Sequence, residues 1–249
     1  MHTYIYDSYL SDKKYFNAVN EIESRLTDLG LSGRVCRLSP LRSLRDVINQ
    51  ELKRMPKTLV VIGNDSIVSQ AISLMGGSEV PLGIIPIGEP NNIAWRLGID
   101  EEHAGAIMSA RRIVQIDLGV VDNKTFLKSA EVVGDKLRLL IDDMYAVESE
   151  NAKVEIVNFL LNEEMDEVVT MTSSHNGQLH LVITKEVTHR GIIKNRTEIE
   201  QSVLPFSQLE IESEGTTVVL DGFVKINNPQ KVFVLPRGLK AIVGKQRNF

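Results

Sequence analysis

Between residues 1 and 112 the apolar positions switch repeatedly between short continuous runs and a helical spacing. His2–Tyr6, Arg34–Leu38, Thr58–Ile62 and Leu82–Ile87 read as strands. Thr58–Ile62 is almost wholly apolar, as a strand buried on both faces of a parallel sheet must be. After Ser11, a residue type that caps helices, Tyr15, Phe16, Val19, Ile22, Leu26 and Leu29 fall on one helical face, and Gly30 ends the run. Ser39-Pro40 reads as a second helix start, because proline at the first helical position sacrifices no hydrogen bond. Leu41, Leu44, Val47, Ile48 and Leu52 then share a face. A third helix follows Gly63-Asn64-Asp65-Ser66, with Ile67, Val68, Ala71, Ile72 and Met75 inward. A short helix over Asn91–Leu97 is closed by Gly98, and Asp100 caps another. Strand–helix alternation of this kind predicts a Rossmann-like parallel sheet covered by helices, an α/β domain over residues 1–112.

Near Arg111 the period changes. Val114, Ile116, Leu118 and Val120 alternate with more polar neighbours, and Asp122-Asn123 marks a turn. Strands are expected at Val154–Leu161, Leu179–Thr184, Val203–Ile211, Thr216–Leu220, Val224–Ile226, Lys231–Leu235 and Leu239–Val243. Asn176-Gly177, Glu214-Gly215, Asn227-Asn228-Pro229 and Pro236-Arg237-Gly238 supply the turns. Asp135–Val147 fits a helix or a strand with a polar break. Residues 113–249 therefore read as an antiparallel β-sandwich or squashed barrel, and the fold class is α/β plus all-β.

Composition narrows the function. The 249 residues suffice for one large domain or two modest ones. A net charge of −5 argues against a general nucleic-acid surface. Cys36 is the single cysteine, so it forms no internal disulfide, and its apolar run suggests a buried thiol. The charged N-terminus lacks the apolar core of a signal peptide, and no run approaches the ~20 apolar residues of a membrane span. A cytoplasmic protein is expected, one that meets any membrane peripherally, at its inner face. The five histidines show no metal-ligand spacing. Asp142-Asp143 and Glu163-Glu164 read as solvated acidic turns, and Trp95 as packing. The basic stretch Lys185, His189, Arg190, Lys194 and Arg196 reads as a solvated loop, or alternatively as a weak contact for anionic headgroups.

Two loops carry candidate chemistry. Gly63-Asn64-Asp65-Ser66 joins a parallel strand to a helix, where free N–H groups and a partial positive charge suit a phosphate. Asp65 and Ser66 are also ordinary capping residues. Pro86-Ile87-Gly88-Glu89-Pro90-Asn91-Asn92 follows the next strand, and Asn91 or Asn92 can cap the short helix. Two such loops on successive strands would lie side by side, and a cleft made jointly by two loops is a better site than either alone.

These residues resemble the catalytic domain of the diacylglycerol kinase family, within the superfamily that includes NAD kinase. Val60–Ile67 is similar to its hydrophobic strand and Gly-Gly-Asp-Gly-Thr. Pro81–Ile99, with Pro86-Ile87-Gly88, Asn91-Asn92, Ala94, Arg96 and Leu97-Gly98, resembles its Pro-x-Gly-Thr-x-Asn-Asp stretch and favours the lipid-kinase branch. Ile116–Val121 looks like the crossing into the β domain, Asn176-Gly177 stands where the family has Asp-Asp-Gly, and Asp221-Gly222-Phe223 resembles its Asp-Gly-Glu. The resemblance implies ATP and Mg2+, with phosphates at Gly63, Asn64, Asp65, Ser66, Gly88, Glu89 and Asn91. It implies Asp65 as organiser of phosphate or magnesium and Asp221 as candidate base for a lipid hydroxyl in phosphoryl transfer. The sequence departs from the pattern at Asn64, Ser66, Glu89 and Phe223, and Tyr6-Asp7-Ser8 replaces an N-terminal Asn-Pro and Ser-Gly element. Those departures define the alternative, a catalytically impaired relative that binds a nucleotide, a lipid or a partner. A small-molecule or NAD kinase-like activity is a third reading. An exposed edge strand in the β half can pair with a second copy, which leaves a homodimer open.

Overall fold

The computed structural model describes residues 1–158, 177–189 and 196–245. The chain forms two compact units. The first holds Met1–Ile116 and the chain from Arg237 onward; the second is Asp117–Pro236. The boundary expected at residue 112 thus falls four positions later, and the C-terminal segment differs in belonging to the first unit.

In the first unit β1 (His2–Tyr6), β2 (Gly33–Arg37), β3 (Thr58–Gly63) and β4 (Leu82–Pro86) lie parallel in the order β2-β1-β3-β4. The registers pair Tyr6 with Ile62 and Gly63 with Pro86. Every residue of β1, β3 and β4 is buried, which explains their unbroken apolar runs. Helices α1 (Phe16–Asp28), α2 (Leu44–Leu52), α3 (Asp65–Met75), α4 (Asn92–Arg96) and α5 (Ala104–Ala110) accompany the sheet. Val19, Ile22 and Leu26 form the buried stripe of α1, and Ile67, Val68, Ala71, Ile72 and Met75 that of α3.

The starts of α1, α2 and α5 differ from expectation; at α5 the N-cap is His103 rather than Asp100, whose carboxylate accepts His103 N–H at 2.8 Å in the turn before the helix. Ser11 does not cap α1; the chain first makes 3-10 turns at Ser8–Ser11 and Lys13–Tyr15, where the Asp12 carboxylate accepts Lys14 N–H. Phe16 is exposed in consequence. Ser39-Pro40 does not open α2 either. The N-cap is Ser43, whose hydroxyl accepts Asp46 N–H, and Leu41 lies fully in solvent. Cys36 is buried as expected, and burial pushes its thiol pKa up.

The chain enters the second unit through β5 (Ile113–Val121). Then follow β6 (Lys124–Phe126), β7 (Ser129–Val133), β8 (Lys136–Ile141), β9 (Tyr145–Glu150), β10 (Lys153–Val157), β11 (Leu179–His189) and β12 (Arg196–Phe206). After them come β13 (Gln208–Ile211), β14 (Thr217–Leu220), β15 (Val224–Asn227) and β16 (Lys231–Ile242). One antiparallel sheet runs β12-β11-β10-β7-β14-β15. A second contains β13, β8, β9 and the start of β16. Leu137, Leu139, Ile141, Leu209 and Val232 from the second sheet share one core with Ala130, Val154, Ile156, Leu181 and Val218 from the first. This is the packing of a sandwich.

Asp135–Val147 resolves into the β8–β9 hairpin, with Asp142 and Asp143 at positive φ. Asp142 is more than a solvated turn residue, since its carboxylate accepts Ser207 N–H and Gln208 N–H. Pro236-Arg237-Gly238 does not end a strand. β16 runs through it, and its end pairs Ala241 with Leu82 of β4, returning the chain to the first unit. Asn176, His175, Glu163-Glu164, Arg190, Lys194, the far end of the strand expected at Val154–Leu161, and the side chains of His189 and Arg196 lie outside the described residues.

Candidate functional site

An open parallel sheet binds ligands beyond the carboxyl ends of its strands, where the strand order reverses. In the order β2-β1-β3-β4 that point lies between β1 and β3. Three segments meet there: residues 7–15 after β1, Gly63–Ser66 after β3, and Ile87–Asn91 after β4. The structure brings Gly63, Asn64, Asp65, Ser66, Gly88, Glu89 and Asn91 together in this one region, through the bonds that follow.

The second and third segments are tied by their backbones. Ile87 N–H donates to Gly63 O at 3.2 Å and Asp65 N–H to Pro90 O at 2.8 Å. The Asn64 carboxamide donates to Glu89 O at 3.1 Å. Asn64, rather than Asp65 or Ser66, is the N-cap of α3, its side-chain oxygen accepting Ser66 N–H at 3.1 Å. Asn91 does not cap α4 with its side chain, which donates to Gly88 O instead. The cap comes from elsewhere. Asp65, only 4% exposed, accepts Asn92 N–H at 2.8 Å and Ile93 N–H at 3.0 Å, one on each carboxylate oxygen. It satisfies the first N–H groups of α4 and holds the two loops in register. Glu89 is exposed.

Pattern reasoning missed Tyr9. Its hydroxyl donates to Ile87 O at 2.5 Å. Its ring meets that of Tyr15 edge-on, centroids 5.1 Å apart, and Lys14 sits over Tyr15. Burial, with Asp7 and Tyr15 nearby, pushes the Tyr9 hydroxyl pKa well above its usual range. Gly88 admits this residue, while Gly63 makes room chiefly for Ile67. A Cβ on Gly88, at φ +81°, would stand 2.9 Å from the Tyr9 hydroxyl. One on Gly63, at φ +154°, would stand 3.4 Å from it and 2.7 Å from Ile67. The one sequence signal was the replacement of the family's N-terminal element at the end of β1.

A phosphate at the start of α3 would draw on the N–H groups of Asn64, Asp65 and Ser66. Two of these already have acceptors: Asp65 N–H is on Pro90 O and Ser66 N–H on the Asn64 side chain. The loop as folded therefore offers those two N–H groups to a phosphate only after their partners leave. Magnesium prefers one or two carboxylate oxygens together with water and phosphate. Asp65, expected to organise magnesium, is buried with an N–H on each oxygen and does not fit that task as folded; it fits a strut. Among the described residues no cluster of three or more His, Cys, Asp or Glu could hold a metal.

Asp221 belongs to the second unit. Asp221 and Gly222, at φ +49° and +82°, are the central residues of a tight turn closed by Phe223 N–H on Leu220 O. The Asp221 carboxylate accepts the N–H groups of Leu127, Lys128 and Ser129 at 3.0, 2.7 and 3.0 Å. Alongside, Asn158 donates to Asp117 O and Leu127 O, and the buried Asp117 carboxylate accepts Gly177 N–H at 3.0 Å. Asp117 and Asn158 were not singled out by the sequence, because neither spacing nor charge distinguishes them.

Residues 5–121 match the family model of the diacylglycerol kinase catalytic domain. A probable lipid kinase YegS-like protein of Klebsiella pneumoniae (strain 342) is 32% identical over 82 residues, which span 31% of this chain and 28% of that protein. Among solved structures, a diacylglycerol kinase from Bacillus anthracis str. Sterne superposes with a TM-score of 0.74 at 16% identity, over 98% of this chain and 97% of that one. An NAD kinase from Archaeoglobus fulgidus in complex with ATP gives 0.61 at 12% identity, over 100% and 96%. The fold is therefore that of the diacylglycerol kinase and NAD kinase group, a mixed sheet with helices and a second antiparallel sheet. No helix among the described residues is long and apolar enough to cross a membrane.

Proposed function

We propose that the protein is a lipid kinase-like phosphotransferase, with ATP as donor and a diacylglycerol-like lipid hydroxyl as acceptor. One observation carries this reading. The two family loops lie on adjacent parallel strands at the switch point, bound to each other across the start of α3. That is where a kinase of this fold would place phosphate, and phosphoryl transfer depends mainly on positioning and charge neutralisation. The segments Gly63–Ser66 and Gly88–Asn91 would line the phosphates. Asp65 would act as a positioning residue that keeps the second segment against the first. Asp221 remains the candidate base, and its three N–H partners would fix the carboxylate's orientation. The lipid would be met peripherally, at the inner membrane face.

A second reading has its own observation. Asp65 and Asp221 both accept backbone N–H groups. Groups engaged in this way suit a non-catalytic relative that binds nucleotide, lipid or a partner. Phosphoryl transfer from labelled ATP to diacylglycerol in mixed micelles separates the two. Transfer that disappears in Asp221→Asn, with folding intact, supports the kinase. ATP binding without transfer to any lipid or small-molecule hydroxyl supports the second reading.

A further inference from the structure

We propose that the turn Ser39–Arg42 is a membrane-docking tip: Leu41 enters the headgroup boundary of an anionic bilayer while Arg37, Arg42 and Arg45 meet the lipid headgroups. The inference rests on the lipid-acting reading above and names the surface through which the bilayer is met.

Among the described residues Leu41 is the most exposed large apolar side chain, at 100%. The backbone holds it there. Ser39 N–H donates to Arg42 O at 3.3 Å, and Arg42 N–H donates back to Ser39 O at 2.9 Å. Pro40 and Leu41 are therefore the two tip residues of a closed turn, and the proline ring fixes its own φ. The helix that follows starts only at Leu44, which is buried, so Leu41 has no helical face to join. A turn already closed loses little backbone freedom when its tip inserts.

The charge around the tip is of one sign. Arg34–Arg45 holds four arginines and no acidic residue, on a chain of net charge −5. Arg42 and Arg45 take part in none of the ion pairs among the described residues. Arg42 instead donates to Cys36 Sγ at 3.3 Å, and Asp46, the next acid along the chain, accepts the Ser43 hydroxyl at 2.6 Å. Arg37 is half exposed and pairs with Glu23 at 2.7 Å. A basic cluster is drawn to anionic headgroups, and a weak apolar anchor gains a firm hold when joined to one. One projecting leucine suits that shallow boundary, whereas a protein partner would call for a broad apolar core.

The topology gives the tip its orientation. β2 is an edge strand, parallel to β1, which is parallel to β3. Arg37 pairs with Tyr6 and Tyr6 with Ile62, and Leu38 N–H donates to Tyr6 O at 3.0 Å. The turn thus leaves the sheet on the same edge as Gly63–Ser66. A bilayer met at Leu41 lies on the side where the two family loops open, and there a lipid hydroxyl has to arrive.

The test is co-sedimentation of the full chain with vesicles of phosphatidylcholine alone and of phosphatidylcholine mixed with phosphatidylglycerol. The variants are Leu41→Ser, the pair Arg42→Gln and Arg45→Gln, and the pair Lys53→Gln and Lys57→Gln. The lysine pair removes the same charge between α2 and the amino end of β3, on the opposite edge. The wild type should partition onto the mixed vesicles, less so as salt rises. Each arginine should contribute about fivefold, so the arginine pair should lose about 25-fold. Leu41→Ser should lose about tenfold. The lysine pair, more than a screening length from the membrane, should stay within about twofold of the wild type. Circular dichroism checks folding, and Leu41→Ser, a change wholly in solvent, decides if the arginine pair does not fold. Equal losses in the arginine and lysine pairs overturn the docking tip, as does Leu41→Ser binding like the wild type. A wild type that ignores both vesicles also overturns it and leaves the arginines to an acidic protein partner. ATP calorimetry on the same samples separates the two readings. Nucleotide bound without docking removes the tip alone; docking without nucleotide binding or transfer to lipid removes the kinase reading and leaves the tip.

Discussion

Asp65→Asn tests whether this carboxylate is a strut or a ligand organiser, and the structure gives the size of the effect. The side chain is 4% exposed and holds Asn92 N–H on one oxygen and Ile93 N–H on the other. Asparagine offers one acceptor oxygen, so one of these N–H groups would face an NH2. A lost hydrogen bond to a charged acceptor costs about 1.5–3 kcal/mol. The surviving bond becomes neutral and loses roughly half its strength. A destabilisation of about 2–4 kcal/mol follows, or about 5–12 °C in Tm for a chain of this size. Asp65→Ala leaves both N–H groups without this acceptor and should cost more. Circular dichroism follows global unfolding, while Trp95, the only tryptophan, reports α4 itself, since it is half exposed on that helix. Its emission should shift at a lower temperature in both variants. Variants that melt within about 1 °C of the wild type, yet no longer bind ATP, would refute the strut and return Asp65 to the phosphates.

Three further predictions concern other parts of the molecule. Glu51 is 1% exposed and carries Thr3 Oγ1 at 3.0 Å, Arg34 Nε at 3.7 Å and Arg54; Glu51→Ala should lower stability by about 1–3 kcal/mol in urea unfolding, and an unmoved midpoint would contradict it. An ideal Cβ on Gly119 would lie 2.0–2.6 Å from the fully buried Phe126 ring. Gly119→Ala should therefore cost about 1–3 kcal/mol or more, and Phe126→Leu in the same chain should recover part of it; additive losses would argue against the clash. Burial lowers the pKa of His180, and burial followed by Lys57, the N-terminal amine and Arg111 lowers that of His2. Below the reference value of 6.5 the unfolded chain binds protons that the folded one refuses, so stability is present above that pH and is lost as pH falls through it. The unfolding midpoint should fall between about pH 7.5 and 5.5, and His180→Gln should flatten the slope; a parallel slope would show that His180 contributes nothing.

The parallel strands were legible because burial on both faces leaves an unmistakable apolar run, and Thr58–Ile62 lies within β3 to one residue. Helix starts were less legible. Ser11 and Pro40 have the right chemistry for caps, but capping is decided by where the chain turns, and Asp12 and Ser43 supplied the bonds. Pro236-Arg237-Gly238 carries turn residues, yet β16 passes through with Arg237 at φ +54°, because Ala241 beyond it pairs with β4. The two phosphate loops were readable as Gly and Asn punctuation after strands. Tyr9 was not, since its partner Ile87 lies 78 residues away and an isolated tyrosine carries no periodic or spacing signal.

The departures of this sequence from the family pattern belong together once Tyr9 is in place. A third glycine at position 64 would leave Ser66 N–H without its acceptor and Glu89 O without its donor; asparagine serves both with one carboxamide. Position 88 needs glycine because a Cβ there would stand 2.9 Å from the Tyr9 hydroxyl, and position 63 because one there would stand 2.7 Å from Ile67. Asp65 stays aspartate because α4 has no side-chain cap of its own. Local choices at these positions thus agree on one arrangement of the two loops, and such agreement marks a specified conformation rather than loose decay of a motif. Random loss of phosphate binding would leave unsatisfied N–H groups at the start of α3. Here Asp65 N–H and Ser66 N–H each have a partner within the two loops, Pro90 O and the Asn64 side chain.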